Sequence, residues 1–169
     1  MQVLIEKALK GDHEAFIEII EKSTGQLYKA GRAILKNDND IGDALQETIM
    51  IAYEKLHTLK EPKYFNTWLV RILINRCNYI ISKNRKVISL DDVNTLTYKD
   101  NGFKNLELNE AINELKEDYR VAITLYYIMG FSVKEICSIL DEKEGTIKSR
   151  LCRARSDLRE FYGVSKGVK

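Results

Sequence analysis

The chain contains a single proline, Pro62, in 169 residues, so almost nothing in it breaks a helix. No segment sustains the apolar-polar alternation of a half-buried strand. Its three cysteines, Cys77, Cys137 and Cys152, lie far apart without C-x-x-C spacing, and His13 and His57 are its only histidines. Neither a disulfide framework nor a zinc site is therefore supported, and no metal or other cofactor is expected. There is no Gly-rich phosphate loop, no nucleophile motif and no metal-ligand spacing, which argues against an enzyme and leaves no catalytic residue to name. No run of about 18 apolar residues could span a bilayer, and the N-terminus lacks a signal-like apolar core. A cytoplasmic protein without direct membrane insertion is expected.

What is present is a chain that is 44% hydrophobic and 31% charged, enough to bury a core in one domain or two small ones. Helical periodicity places helices over about residues 2–10, 13–23, 25–36, 40–57, 65–84, 106–116, 118–129, 133–140 and 145–161. Residues 86–105 lack that periodicity and are rich in Asp, Asn, Thr and Gly. The expected fold is all-α: a helical domain over 1–85, a flexible linker over 86–105 and a helix-turn-helix domain over 106–169.

The helix-turn-helix expectation rests on residues 132–159. Ser132 followed by Glu135 is a capping box that starts a helix burying Val133, Ile136 and Ile139. Asp141-Glu142-Lys143 breaks the pattern, and a second helix begins at Glu144. At about 100° per residue, Ile147, Leu151, Ala154 and Leu158 share one stripe. Lys148, Ser149, Cys152, Arg153, Ser156 and Arg159 occupy the other side. Cations and small side chains without a bulky aliphatic suit a DNA major groove, although a solvated amphipathic helix has a similar composition. Arg150, beside Asp157 at the edge of the apolar stripe, reads as structural.

The net charge of +2 is modest, but charge is segregated. Between Pro62 and Leu90 lie Lys63, Arg71, Arg76, Lys83, Arg85 and Lys86 and no acid. From Glu107 to Asp118 the balance is acidic. Such a chain fits contact with nucleic acid at two places and something else between them. In the helix near 40–57, Ile41, Leu45, Ile49, Ala52 and Leu56 form an apolar face, and Asp43, Gln46, Glu47, Met50 and Glu54 gather opposite. An acidic face centred on methionine suits a basic helical partner, and an ordinary solvated face would look alike. The following helix is apolar around most of its circumference, with one polar stripe of Arg71, Asn75, Asn78 and Ser82. The loop before it supplies Lys60, Lys63, Tyr64, Phe65 and Trp68, the mixture of cations and aromatics found at single-stranded nucleic-acid sites. Phe65 and Trp68 equally suit a core, and core packing is taken as the primary role of Trp68.

Four segments in order resemble the extracytoplasmic-function (ECF) sigma factors, the smallest bacterial transcription-initiation subunits. They are ALKGDHEAF (Ala8 to Phe16), DALQETI (Asp43 to Ile49), FNTWLVRI (Phe65 to Ile72), and GFSVKEI followed by EGTIKSRLCRAR (Gly130 to Ile136 and Glu144 to Arg155). The resemblance implies binding to core RNA polymerase, through its β′ and β subunits, with the β′ clamp coiled coil meeting Asp43, Gln46, Glu47, Met50 and Glu54. It implies −10 recognition and capture of a flipped base by Lys60, Lys63, Tyr64, Arg71, Asn75 and Asn78. It implies −35 duplex reading by Lys148, Ser149, Cys152, Arg153 and Arg159, with the linker threading toward the RNA path. Such factors are typically held by an anti-sigma factor, often membrane-anchored, which could keep this chain at the inner face of the membrane. Cys152 stands where the family often has a larger or more polar residue, so no promoter sequence carries over. Cys137 replaces a frequent alanine. The alternative from another class is an autonomous helix-turn-helix regulator, which would need no base-stacking loop at 60–68.

Overall fold

The computed structural model describes residues 1–88 and 106–162, with side chains described for 1–84 and 108–162. Every element in these residues is helical, and the chain divides into two compact units, Met1–Leu96 and Thr97–Lys169. The dividing point falls within the stretch read as a linker, of which 89–105 lie outside the described residues.

The first unit contains α1 (Gln2–Leu9), α2 (His13–Arg32), α3 (Asp38–Lys55), 3-10 turns at Leu56–Thr58 and Pro62–Tyr64, and α4 (Phe65–Ile88). Gly11, at φ 96°, makes the turn into α2, whose cap is Asp12 accepting the Ala15 N–H at 3.0 Å. A helix break was expected near residue 24, yet α2 runs unbroken to Arg32. The Ser23 and Thr24 hydroxyls explain this, because each donates back to a carbonyl four residues earlier, Ile19 and Ile20, instead of capping a new helix. Near its end Gly31 lets α3 approach closely: a Cβ there would meet Ile41 Cγ2 at 3.2 Å.

α3 begins two residues before the expected Asp40, because the Asn37 side chain caps it by accepting the Asn39 N–H. Its buried line is Ile41, Ala44, Thr48 and Ala52, whereas Leu45 and Ile49, expected in the core, are half-buried. Thr48 tolerates full burial because its hydroxyl donates to the Ala44 carbonyl at 2.6 Å. Small Ala44 and Ala52 let α3 lie close against α2 and α4, where Ile19, Leu27, Phe65, Leu69, Leu73 and Cys77 complete the core. α4 continues through 86–88, residues read as the start of the linker.

The second unit contains α5 (Leu106–Glu114), α6 (Glu117–Ile123) running into a π-helical segment (Thr124–Ile128), α7 (Val133–Leu140) and α8 (Glu144–Phe161). Arg120 of α6 is buried and donates to the Asn113 and Leu115 carbonyls, which satisfies groups that the end of α5 leaves open. Burial lowers its pKa, partly countered by Glu117, which favours the charged form. The capping box is present: the Ser132 Oγ accepts the Glu135 N–H, and the Glu135 carboxylate accepts the Ser132 N–H at 2.8 Å. Asp141 at φ 55° turns the chain out of α7, and the Glu142 N–H donates back to the Cys137 carbonyl. Ile136, Ile139, Ile147 and Ala154 meet in the core; of the expected α7 and α8 stripes, Val133 and Leu158 are half-buried.

Candidate functional site

α8 presents the outer face anticipated for it. Lys148, Ser149, Cys152, Arg153, Ser156 and Arg159 are all exposed, and Ile147, Leu151 and Ala154 anchor the opposite side. Lys148 pairs with Glu144 one turn back at 2.7 Å, and this hydrogen bond raises the lysine pKa and lowers that of Glu144. Arg150 is tied to Glu142 at 3.0 Å and Asp118 at 3.4 Å, a structural role as expected, with its carboxylate partners on other segments rather than at Asp157. Two contacts were not foreseen. Arg153 donates to the Tyr119 hydroxyl, and Arg155 donates to the Tyr127 hydroxyl, each at 3.4 Å. Arg155, to which the sequence reading gave no role, is exposed.

On α4, Arg71, Asn75, Asn78 and Ser82 form an exposed line. Lys60, Lys63 and Tyr64 are exposed in the segment leading into its first turn, and the Lys63 ammonium lies 4.8 Å from the Tyr64 ring centre and 2.7 Å from Glu61. Phe65 is buried at 1% exposure and Trp68 is half-buried against it, ring centres 5.9 Å apart. Asn75 follows Tyr64 by eleven positions, so these groups span about 16 Å of helix axis rather than one pocket. Tyr79, four residues past Asn75, joins the line half exposed, with the Arg76 guanidinium 4.5 Å over its ring. Its i+4 spacing from Asn75 was the available signal, masked because an aromatic in an apolar helix counts toward the core.

Asp43, Gln46, Met50 and Glu54 lie exposed along the outside of α3, with Met50 63% accessible. Glu47 differs: it is half-buried toward α4 and 3.5 Å from Arg76. Tyr53 was missed; half exposed beside this face, its hydroxyl is 2.8 Å from His13 Nδ1 and its ring packs edge-on against Phe16.

Comparison with known proteins accounts for both units. The sigma-70 region 2 family matches residues 19–87, and the sigma-70 region 4 family matches residues 105–158. The chain is 32% identical over 172 residues to the ECF RNA polymerase sigma-E factor of Escherichia coli K12, spanning 91% of this chain and 90% of that protein. It belongs to the ECF sigma factors.

This ECF sigma factor is also 29% identical over 136 residues to the RNA polymerase sigma factor SigV of Bacillus subtilis, covering 78% and 81% of the two chains. Among solved structures it resembles the sigma factor RpoE in complex with the anti-sigma factor NepR from Bartonella quintana, with TM-score 0.72, 26% identity and coverage of 93% and 99%. CnrH, solved in complex with the cytosolic domain of CnrY, shares the fold at TM-score 0.70 and 21% identity over 98% of each chain. The α3 and α4 surfaces of this alternative sigma factor thus fall in the region 2 match, and α8 falls in the region 4 match. No helix among the described residues is long and apolar enough to cross a membrane.

Proposed function

We propose that this sigma factor binds core RNA polymerase through the outer face of α3, melts and holds the −10 strand along α4, and reads the −35 duplex with α8. The observation that carries the reading is α8: a helix seated by Ile147, Leu151 and Ala154 whose opposite face, up to Arg159, offers Lys148, Arg153 and Arg159 among the small groups Ser149, Cys152 and Ser156, with Glu160 joining it in the last turn. Lys148, Ser149, Cys152, Arg153 and Arg159 form that reading face. On α4, Arg71, Asn75 and Asn78 meet the unpaired strand, and Lys60, Lys63 and Tyr64 receive it at the leading end. Asp43, Gln46, Met50 and Glu54 meet the basic polymerase helices, while Glu47, drawn to Arg76, braces α3 against α4.

The protein supplies binding energy for strand separation, and the polymerase does the covalent chemistry. Capture of unstacked bases offsets an opening cost of a few kcal/mol per extruded base. In the resting state a cytoplasmic anti-sigma domain covers the polymerase-binding surface, a role supported by the anti-sigma complex of the Bartonella RpoE. A membrane anchor on that inhibitor would hold this chain at the inner face of the membrane. The test is run-off transcription of a genomic fragment pool by core polymerase with and without this protein, mapping RNA starts. New starts sharing two spaced upstream motifs support the reading; their absence, with folded protein that binds duplex DNA but not core polymerase, refutes it in favour of an autonomous regulator.

A further inference from the structure

Four of the five cations of α8, all but Arg159, fall into two groups by the partner each has. Lys148 and Arg150 are paired with carboxylates, Glu144 in an exposed pair for the first and Glu142 with Asp118 in a half-buried arrangement for the second. Arg153 and Arg155 form no ion pair among the described residues, although the Asp157 carboxylate one turn on bears on Arg153 through space. Each instead donates one Nη1–H to a tyrosine hydroxyl, Tyr119 in the first turns of α6 and Tyr127 in the π-helical segment. The difference matters chemically. A carboxylate orients a guanidinium and cancels its charge, whereas a neutral hydroxyl orients it and leaves the full charge and the remaining N–H donors free.

The two arginines are two positions apart, so they point about 200° from one another around the helix. They therefore stand on opposite flanks of the exposed line of Ser149, Cys152 and Ser156. A helix about 10–12 Å across, lying in a major groove about 12 Å wide, meets a phosphate strand on each flank. Tyr119 and Tyr127 reach those flanks from two separate turns of the same helical run, which packs directly on α8. Both tyrosines are at least partly exposed, so the pairs stand at the surface where DNA would arrive.

We propose that Tyr119 and Tyr127 are positioning residues that hold Arg153 and Arg155 as a pair of phosphate clamps astride the base-reading line of α8. This rests on the reading of α8 as the duplex-binding helix. The tyrosines act by restricting the arginines before DNA arrives, which lowers the ordering cost of binding without adding a contact. At 3.4 Å each hydrogen bond is long, so the restriction is partial and the effect moderate.

The experiment measures binding of the full-length protein to a short fluorescent duplex by anisotropy across about 50–200 mM salt. Tyr119→Phe and Tyr127→Phe should each weaken binding about two- to fivefold with an unchanged salt slope, since no charge is lost. Arg153→Ala and Arg155→Ala should each flatten the slope of log K against log salt by about 0.9, the signature of one lost phosphate contact. Tyr119→Phe placed on Arg153→Ala should add nothing. Wild-type affinity in both phenylalanine variants, or an equal loss on the Arg153→Ala background, overturns the positioning role while leaving α8 as the reader. If Lys148→Ala, Arg153→Ala and Arg155→Ala all leave affinity and slope unchanged, the duplex-reading assignment of α8 fails, and the clamps fail with it.

Discussion

Asn75→Ala separates strand capture from folding. The side chain is exposed on α4, and no hydrogen bond to it is found among the described residues, so its removal opens no cavity and strands no partner. Alanine is the better helix former by roughly 0.5 kcal/mol, so the variant should melt no lower than the parent. If Asn75 hydrogen-bonds a captured base, its loss should cost about 0.5–1.5 kcal/mol in the open state, the net worth of one such bond. That is about a 2- to 12-fold drop in the ratio of open to closed complex. Permanganate reactivity of unpaired promoter thymines, at saturating holoenzyme, reports the open state, and a gel shift at low temperature reports the closed one. Reactivity should fall while the shift persists. Equal loss in both assays, or full reactivity in the variant, would refute a role for Asn75 in holding the melted strand.

Lys148→Ala combined with Arg153→Ala should abolish −35-dependent transcription yet leave holoenzyme formation intact in a pull-down; loss of polymerase binding would contradict two separate surfaces. Ile147→Ala, at a position with 0% exposure, should destabilise the second unit by about 2–5 kcal/mol and remove duplex binding, read by thermal melting beside anisotropy. Iodoacetamide should modify exposed Cys152 quickly and buried Cys77 hardly at all in the native protein, with bound duplex slowing the first reaction; peptide mass mapping reads both. Burial pushes the Cys77 thiol up to about 12 from 9.0. The folded state thus binds this proton more tightly than the unfolded one. The stabilisation is full below pH 9 and is lost as pH rises from 9 toward 12, at up to about 1.4 kcal/mol per unit. Denaturant titrations of the parent and Cys77→Ala should show a steeper alkaline decline in the parent, and parallel declines would contradict it.

The helices of the second unit were legible because their signals are local. Ser132 with Glu135, and the break at Asp141, act over three or four residues and need no tertiary information. The α8 faces followed from simple angular spacing. The unbroken α2 was not legible, since Ser23 and Thr24 are as competent to cap as to bond backward, and only the tertiary fold selects between these. The buried line of α3 shifted for a related reason: Gly31 brings Ile41 close, so Ala44 and Thr48 fit the narrow gap and bulkier Leu45 and Ile49 are displaced to its margins. Likewise Tyr119, Tyr127, Tyr79 and Tyr53 owe their positions to contacts 28 to 40 residues away or to one exposed edge of an apolar helix. Arg120, a charge in a core, could be placed only once the end of α5 was seen to need donors.

Beside the three polar contacts that reach from α8 back to Asp118, Tyr119 and Tyr127, the other polar fastenings of the second unit named above span short stretches of chain. Ser132 meets Glu135 three residues on, Glu142 meets Cys137 and Arg150, and Arg120 meets Asn113 and Leu115, none farther than eight residues apart. Closing loops this small costs little entropy and takes on the order of 10–100 ns. The turn between α7 and α8 can therefore form before the core around Ile136 and Ile147 condenses, and the unit should refold on the microsecond-to-millisecond scale of low-contact-order helical domains.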